Sequence, residues 1–232
     1  MRKSFLFGCL FAPALMFAQS TDGGTAKVQV FVDSTSFHAY DLASVGGFTF
    51  EDKAKEQVGV GLRCLLAFPE APNWDLEFAG RFPQKSKFQL NAAGGGTLVD
   101  NTHVDLRYSW WSLGVGYSLR PSSSFELGFH LEGRGENLKV DGTTYAINGG
   151  VLSSYPASQS VTFWRPWARI SADISFPTRS GWAPYVGADV SGALKNTSQD
   201  GIQLLTDGIH DNTMLKSMAP RWNASVYVGV RF

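Results

Sequence analysis

His130 and Glu132 stand two residues apart in the chain, as do His103 and Asp105. In an extended strand, residues at i and i+2 point to the same side. Each pair therefore sets an imidazole beside a carboxylate, the combination used in acid–base chemistry. In strands that alternate polar and apolar residues the same spacing also makes a hydrogen-bonded pair packing a polar interior or rim, and we read both pairs that way. Asp207, His210 and Asp211 offer ligand atoms for a divalent ion but lack a coordination spacing, so they read as a solvated loop. Gly94-Gly95-Gly96 has no strand and helix around it to cradle a phosphate. No HExxH, GxSxG, phosphate-binding glycine loop or paired-cysteine metal motif occurs. The residues nominate no catalytic, cofactor-binding or metal site.

The N-terminus places Arg2 and Lys3 before an apolar stretch from Phe5 to Ala18, followed by small and polar residues. That pattern predicts a secretory signal peptide over 1–20, cleaved after Ala18 or Ser20, with a single domain over 21–232. Cys9 leaves with the signal, and Cys64 remains alone with no intrachain disulfide partner. Losing Arg2 and Lys3 changes the balance of 20 basic and 20 acidic residues to a net charge of −2, which does not suggest a nucleic-acid partner. No later stretch has eighteen consecutive apolar residues, so a spanning helix is excluded. A barrel is not excluded, because alternating strands leave mean hydropathy near zero, here −0.09.

Eight segments between residues 26 and 232 show strand periodicity, and their connections alternate in length. The short ones, at 69–73, 121–124 and 177–181, contain proline and other turn formers. The long ones, roughly 39–56, 84–103, 138–160 and 195–218, are rich in Gly, Ser, Asn and Asp. Asp141-Gly142, Asn148-Gly149 and Asp200-Gly201 add hairpin signals, so some strands are expected to project past the bilayer. The expected fold is all-β: an eight-stranded antiparallel up-and-down transmembrane β-barrel with short periplasmic turns and long extracellular loops. In that bacterial envelope setting the glycosylation-like Asn196-Thr197-Ser198 carries little weight.

Alternation assigns the faces. Trp74, Trp110, Trp111, Phe125, Trp164, Phe176, Trp182 and Trp222 fall where lipid-facing aromatic girdles belong. Asp75, Glu77, Glu126, His130, Glu132, Arg165, Arg169, Asp173 and Asp189 form the core of an inward charge network, joined by Asp33, Arg63 and Arg231. Eight strands enclose only enough space for side chains, so these charges should pair as a polar plug. Phe31, Trp167 and Tyr185 are inward aromatics. Apolar parity switches between Trp110 and Trp111, which predicts a bulge or the membrane exit there, and Pro166 predicts a second bulge or break.

The stretches 112–119, 182–194 and 226–232 resemble strands of the small outer-membrane barrels of the OmpA, OmpX and OmpW type, and the likeness covers the whole mature chain. The resemblance implies a bacterial outer-membrane location and contact with outer-membrane lipids and lipopolysaccharide. It also implies transient handling by periplasmic chaperones and the barrel-assembly machinery. Val226, Val228, Val230 and the terminal Phe232 resemble the signal that machinery reads, and no peptidoglycan-binding domain is expected after the barrel. The expected function is non-enzymatic: envelope structure and surface interaction, with an extracellular partner met through the loops. Passage of small or hydrophobic solutes is the alternative, and a lipid-modifying enzyme a weaker one.

Overall fold

The computed structural model describes residues 26–37, 48–53, 56–94, 97–148, 151–176, 178, 182–195 and 219–232. The expected signal segment and most of the 195–218 and 177–181 connections lie outside them. Nine strands follow in chain order: β1 Ala26–Ser36, β2 Phe48–Lys53, β3 Glu56–Phe68, β4 Ala71–Gly94, β5 Thr97–Leu119, β6 Phe125–Asn148, β7 Val151–Ser175, β8 Ala183–Ala193 and β9 Trp222–Arg231. Eight of them close a barrel in which every neighbour is antiparallel. β1 pairs with β3 on one side and with β9 on the other, so no sheet edge remains around the ring.

β2 is the extra element. It lies inside the segment expected as loop 39–56 and adds to the upper end of β4, Phe48 opposite Gly94 and Lys53 opposite Gln89. The segments expected as loops 84–103 and 138–160 are strand hairpins. β4 and β5 pair up to Gly94–Thr97, and β6 and β7 up to Asn148–Val151. Continuous ladders satisfy these backbones, so strands project past the bilayer as the hairpin signals predicted, and the β6–β7 hairpin closes between Asn148 and Val151.

Alternation sorts the two faces as it would in any half-buried sheet, but the sorting is inverted. Val226, Ile170, Leu131 and Val190 point outward and are 58–62% exposed, while Glu77, Arg63, Arg134 and Arg165 inside are at most 2% exposed. In water this would leave the apolar face without a core to join; in lipid that face meets an apolar solvent. The chain therefore spans a membrane. From Trp222 at the start of β9 to Phe232 just past its end, ten residue steps rise about 25 Å at about 3.3 Å each and a tilt of about 40°, the height of the lipid-facing band.

At both expected irregularities the bulge alternative is corrected. The β5–β6 register runs unbroken from Asp105 to Leu119, so no bulge lies at Trp110. Trp110 instead obeys parity and points into the barrel, 2% exposed, so it is not a girdle residue. Consecutive residues of a strand cannot both face lipid. The bulge is in the partner strand: between Arg81 and Gln84 the β4–β5 register slips, leaving Phe82 and Pro83 opposite Ser109. Pro166 causes no bulge, since β6 pairs through Gly133–Pro166 in register. The β7–β8 ladder ends beside it at Trp167–Ala193, and the Pro166 carbonyl accepts a hydrogen bond from the Leu194 amide at 2.9 Å.

Candidate functional site: the barrel lumen

The inward side chains occupy tiers from the periplasmic mouth upward. At the mouth, Lys27 pairs with Glu126, which also accepts from Arg231 at 2.6 Å and Arg120 at 3.1 Å. Asp173 lies 3.7 Å from Lys27. The middle tier is built around Glu77, whose side chain is fully buried. Arg63 Nε sits 2.8 Å from its Oε1, while Arg169 and His130 Nδ1, the latter at 2.9 Å, converge on Oε2. Asp189 binds Arg63 at 2.8 Å, and Glu132 binds Arg134 at 2.7 Å.

Glycines on β5 permit this crossing of charges. Asp75 of β4 and His130 of β6 are both register partners of Gly116, and Glu77 and Glu132 are both partners of Gly114. A Cβ at 116 would stand 2.3 Å from His130 Nδ1 and 2.5 Å from Asp75 Oδ1. With hydrogen in that place, Asp75 and His130 approach to 3.7 Å across the intervening strand.

Higher up, Arg81 donates to Asp33 at 2.8 Å, to Gln57 Oε1 at 3.0 Å and to the Tyr108 carbonyl at 2.8 Å. Arg165 donates to Glu136 at 2.5 Å, and the Trp167 indole donates to the same carboxylate at 2.6 Å. Above these charges the lumen turns apolar. Leu106, Tyr108, Leu138, Val161 and Phe163 are buried there with Phe37 and Ala219. The parity switch in β5 marks this change: Leu106, Tyr108 and Trp110 face the lumen, Trp111 and Leu113 face lipid.

Every nominated charge (Asp75, Glu77, Glu126, His130, Glu132, Arg165, Arg169, Asp173 and Asp189) lies inside and is at most 6% exposed. The inward aromatics serve as lids for cations rather than lining a path: Phe31 lies 5.0 Å from Arg63, Trp167 4.1 Å from Arg134, and Tyr185 5.5 Å from Lys27. Trp110 stacks on Phe31 with ring centroids 5.6 Å apart, and the Arg134 guanidinium covers it at 4.2 Å. On the outer wall, Trp111 and Trp164 meet edge to face at 4.3 Å, and Trp222 is exposed. Trp74, Phe176, Trp182 and Phe232 are exposed near the other rim, with Phe125 partly covered. Val226 and Val228 face outward on β9, and Val230 is partly covered.

Lys27, Arg81, Glu136, Gln57 and Asn223 also belong to the network, although the sequence reading did not nominate them. Arg81 and Glu136 were legible by continuing the parity of Glu77 and Glu132, each four residues further. Lys27 was legible by the same rule from Asp33. Of the other chemical candidates, Asp105 faces outward, the His103 side chain is outside the described residues, and Asp207, His210 and Asp211 lie outside them altogether.

Two arrangements in the lumen resemble reactive sites. Asp75, Glu77 and His130 bring one ligand atom each within 4.8 Å of one another, but Glu77 is already committed to Arg63 and Arg169. His130 Nε2 and Ser171 Oγ both close over Gly128, 2.6 and 2.4 Å from where its Cβ would be. With Asp75 behind Nδ1, this is the outline of a nucleophile, base and acid. The adjoining cavity, between Lys27, Glu126, His130, Arg169 and Asp173, measures about 10 Å³, room for about one water molecule and not for an acyl group.

No protein-family model matches the chain, and no curated protein matches it in sequence. Among solved structures it is similar to Ail, the attachment invasion locus protein of Yersinia pestis, in complex with the heparin analogue sucrose octasulfate. That match has 13% identity over 90% of this chain and 99% of Ail, with a TM-score of 0.41. Neisserial surface protein A matches at 9% identity over 89% of this chain and 95% of its own, with a TM-score of 0.43. OprG of Pseudomonas aeruginosa matches at 10% over 90% and 94%, with a TM-score of 0.44.

Proposed function

We propose that the chain is a non-enzymatic outer-membrane barrel with a sealed lumen, which reinforces the envelope and carries strand hairpins outward for contact with other surfaces. The single observation behind this reading is the filled interior. Carboxylates and guanidiniums pair from the periplasmic mouth to the level of Trp167, and an apolar layer caps them. Charge-assisted pairs packed across a barrel this narrow leave no standing water column. The β6–β7 hairpin supports the outward role. Thirteen residue pairs, Glu136–Phe163 through Asn148–Val151, continue beyond the Trp164 level. At about 3.3 Å per residue and a tilt of about 40° they rise about 30 Å.

The test is conductance of the refolded protein in planar bilayers, with folding verified by heat-modifiable gel mobility. Silent bilayers are expected. Stable porin-like channels would overturn the sealed-lumen reading and promote passage of small solutes. In the same reading, Phe232 and the outward Val226, Val228 and Val230 act as the handle for barrel assembly. Deleting Phe232 is then expected to lower the folded outer-membrane fraction much more than trimming 195–218.

A further inference from the structure

The Phe82–Pro83 bulge has a chemical result on the outer wall. Below it, odd-numbered residues of β4 face the lumen, as Asp75, Glu77, Ala79 and Arg81 do. Above it the parity is reversed: Gln84 and Ser86 turn inward toward Gln57, which donates to the Gln84 carbonyl and the Ser86 hydroxyl at 3.0 Å. Lys85 and Lys87 are thereby aimed outward and are exposed.

The register places Lys85 directly opposite Arg107, and Arg107 directly opposite Lys139. Three cations thus stand side by side on three adjacent strands, about 4.8 Å apart from strand to strand. Like charges directly opposite one another oppose folding. The next row up compensates only in part: Asp105 takes Lys85 at 2.6 Å, Asp141 takes Lys139 at 3.0 Å, and Arg107 reaches Asp141 only at 3.9 Å. With Lys87 the patch holds four cations and two carboxylates. On the β6 side the adjacent strand β7 carries Ser158, Ser160 and Thr162 at this level, so the positive charge ends there.

Arg107 lies four residues above Trp111, about 10 Å beyond the aromatic girdle at about 3.3 Å per residue and a tilt of about 40°. That is the depth of lipid headgroups, and the apolar stems of lysine and arginine can lie along the wall while their charged ends meet them. We propose that Lys85, Arg107 and Lys139, with Lys87 beside them, form a docking site for the phosphate groups of outer-leaflet lipid headgroups. This deepens the reading of the chain as an outer-membrane barrel and rests on it. An outward-facing row continuous with the lipid-facing wall favours a lipid over a soluble anion, and its excess positive charge supplies the complementarity.

The experiment reconstitutes the full refolded chain in phosphatidylcholine vesicles doped with phosphatidic acid. Native mass spectrometry after gentle extraction then counts each lipid retained. Heat-modifiable mobility and trypsin protection in the same vesicles report the barrel reading separately. Wild type is expected to retain phosphatidic acid preferentially. K85Q/R107Q/K139Q should lose about a hundredfold of that preference and R107Q alone about fivefold, while K195Q keeps it. Equal retention by folded wild type and triple variant, or no preference in folded wild type, overturns the site. Should the triple variant fail to fold, R107Q decides on the same criterion. If inorganic phosphate binds lipid-free wild type as tightly as phosphatidic acid does, the lipid assignment is overturned in favour of a free-anion site.

Discussion

Replacing Glu77 by glutamine keeps the shape of the most connected carboxylate in the lumen and removes its charge. In the wild type Glu77 meets Arg63 at 2.8 Å, Arg169 and His130. After the change, Arg63 keeps Asp189 at 2.8 Å, whereas Arg169 is left with Asp189 at 3.7 Å and Glu132 at 3.8 Å. Breaking a buried pair by removing one partner costs about 3–5 kcal/mol. The surviving contacts with Asp189 and Glu132 place the expectation at the low end, about 3 kcal/mol. Removing the stranded cation as well should restore much of that loss, so Glu77→Gln combined with Arg169→Met is expected to be more stable than the two single changes predict by sum. The coupling should be at least about 1.5 kcal/mol, within the range for residues in one ionic network. Urea unfolding in lipid vesicles, followed by tryptophan fluorescence and by gel mobility, measures all four corners of the cycle. A Glu77→Gln loss below about 0.5 kcal/mol, or strict additivity in the double variant, would refute the claim that this network is a desolvated, mutually dependent plug.

Gly116 on β5 and Gly133 on β6 face opposite ways and should respond differently. Gly116→Ala puts a Cβ into His130 and Asp75 and should lower the yield of the heat-modifiable folded form, whereas Gly133→Ala, whose Cβ would meet the Trp164 ring at 3.7 Å and the Leu113 carbonyl at 3.9 Å, both ordinary contacts, should leave it unchanged. Topology is read by an impermeant maleimide on intact cells in a Cys64→Ser background, where a cysteine at Ser158 should react and one at Ser123 should not; the reverse pattern inverts the barrel. Asp141, above the membrane band, has its carboxyl held below the usual carboxylate range first by the hydrogen bond from Ser158 and then by that from Lys139. In Ser158→Ala an NMR titration should find the Asp141 midpoint moved up toward its ordinary value, and an unmoved midpoint would remove the hydroxyl from that role.

The architecture was legible in the sequence because a barrel in lipid is a period-two code. Once alternate residues are apolar and aromatics recur every ten or so positions, strand count, face and girdle follow from local spacing. The runs around Glu77, Glu132 and Val226 carry that code without interruption. It failed where identity and parity disagree. Trp110 has the chemistry of a girdle residue but the parity of the lumen, and register with β6 decided in favour of parity. The bulge was invisible at Phe82–Pro83 because its cause is the mismatch of two strands, and only pairing with β5 reveals which strand holds the extra residue. That single slip turned Lys85 and Lys87 outward beside Arg107 and Lys139, partners from two other strands of the chain. The sequence by itself thus determined which residues lie inside the barrel wherever a strand runs without a bulge and residue type agrees with parity. Which carboxylate meets which guanidinium, and how tightly the described side chains fill the lumen, were decided by tertiary structure, because those contacts depend on cross-strand register and on glycines that let side chains cross a neighbouring strand.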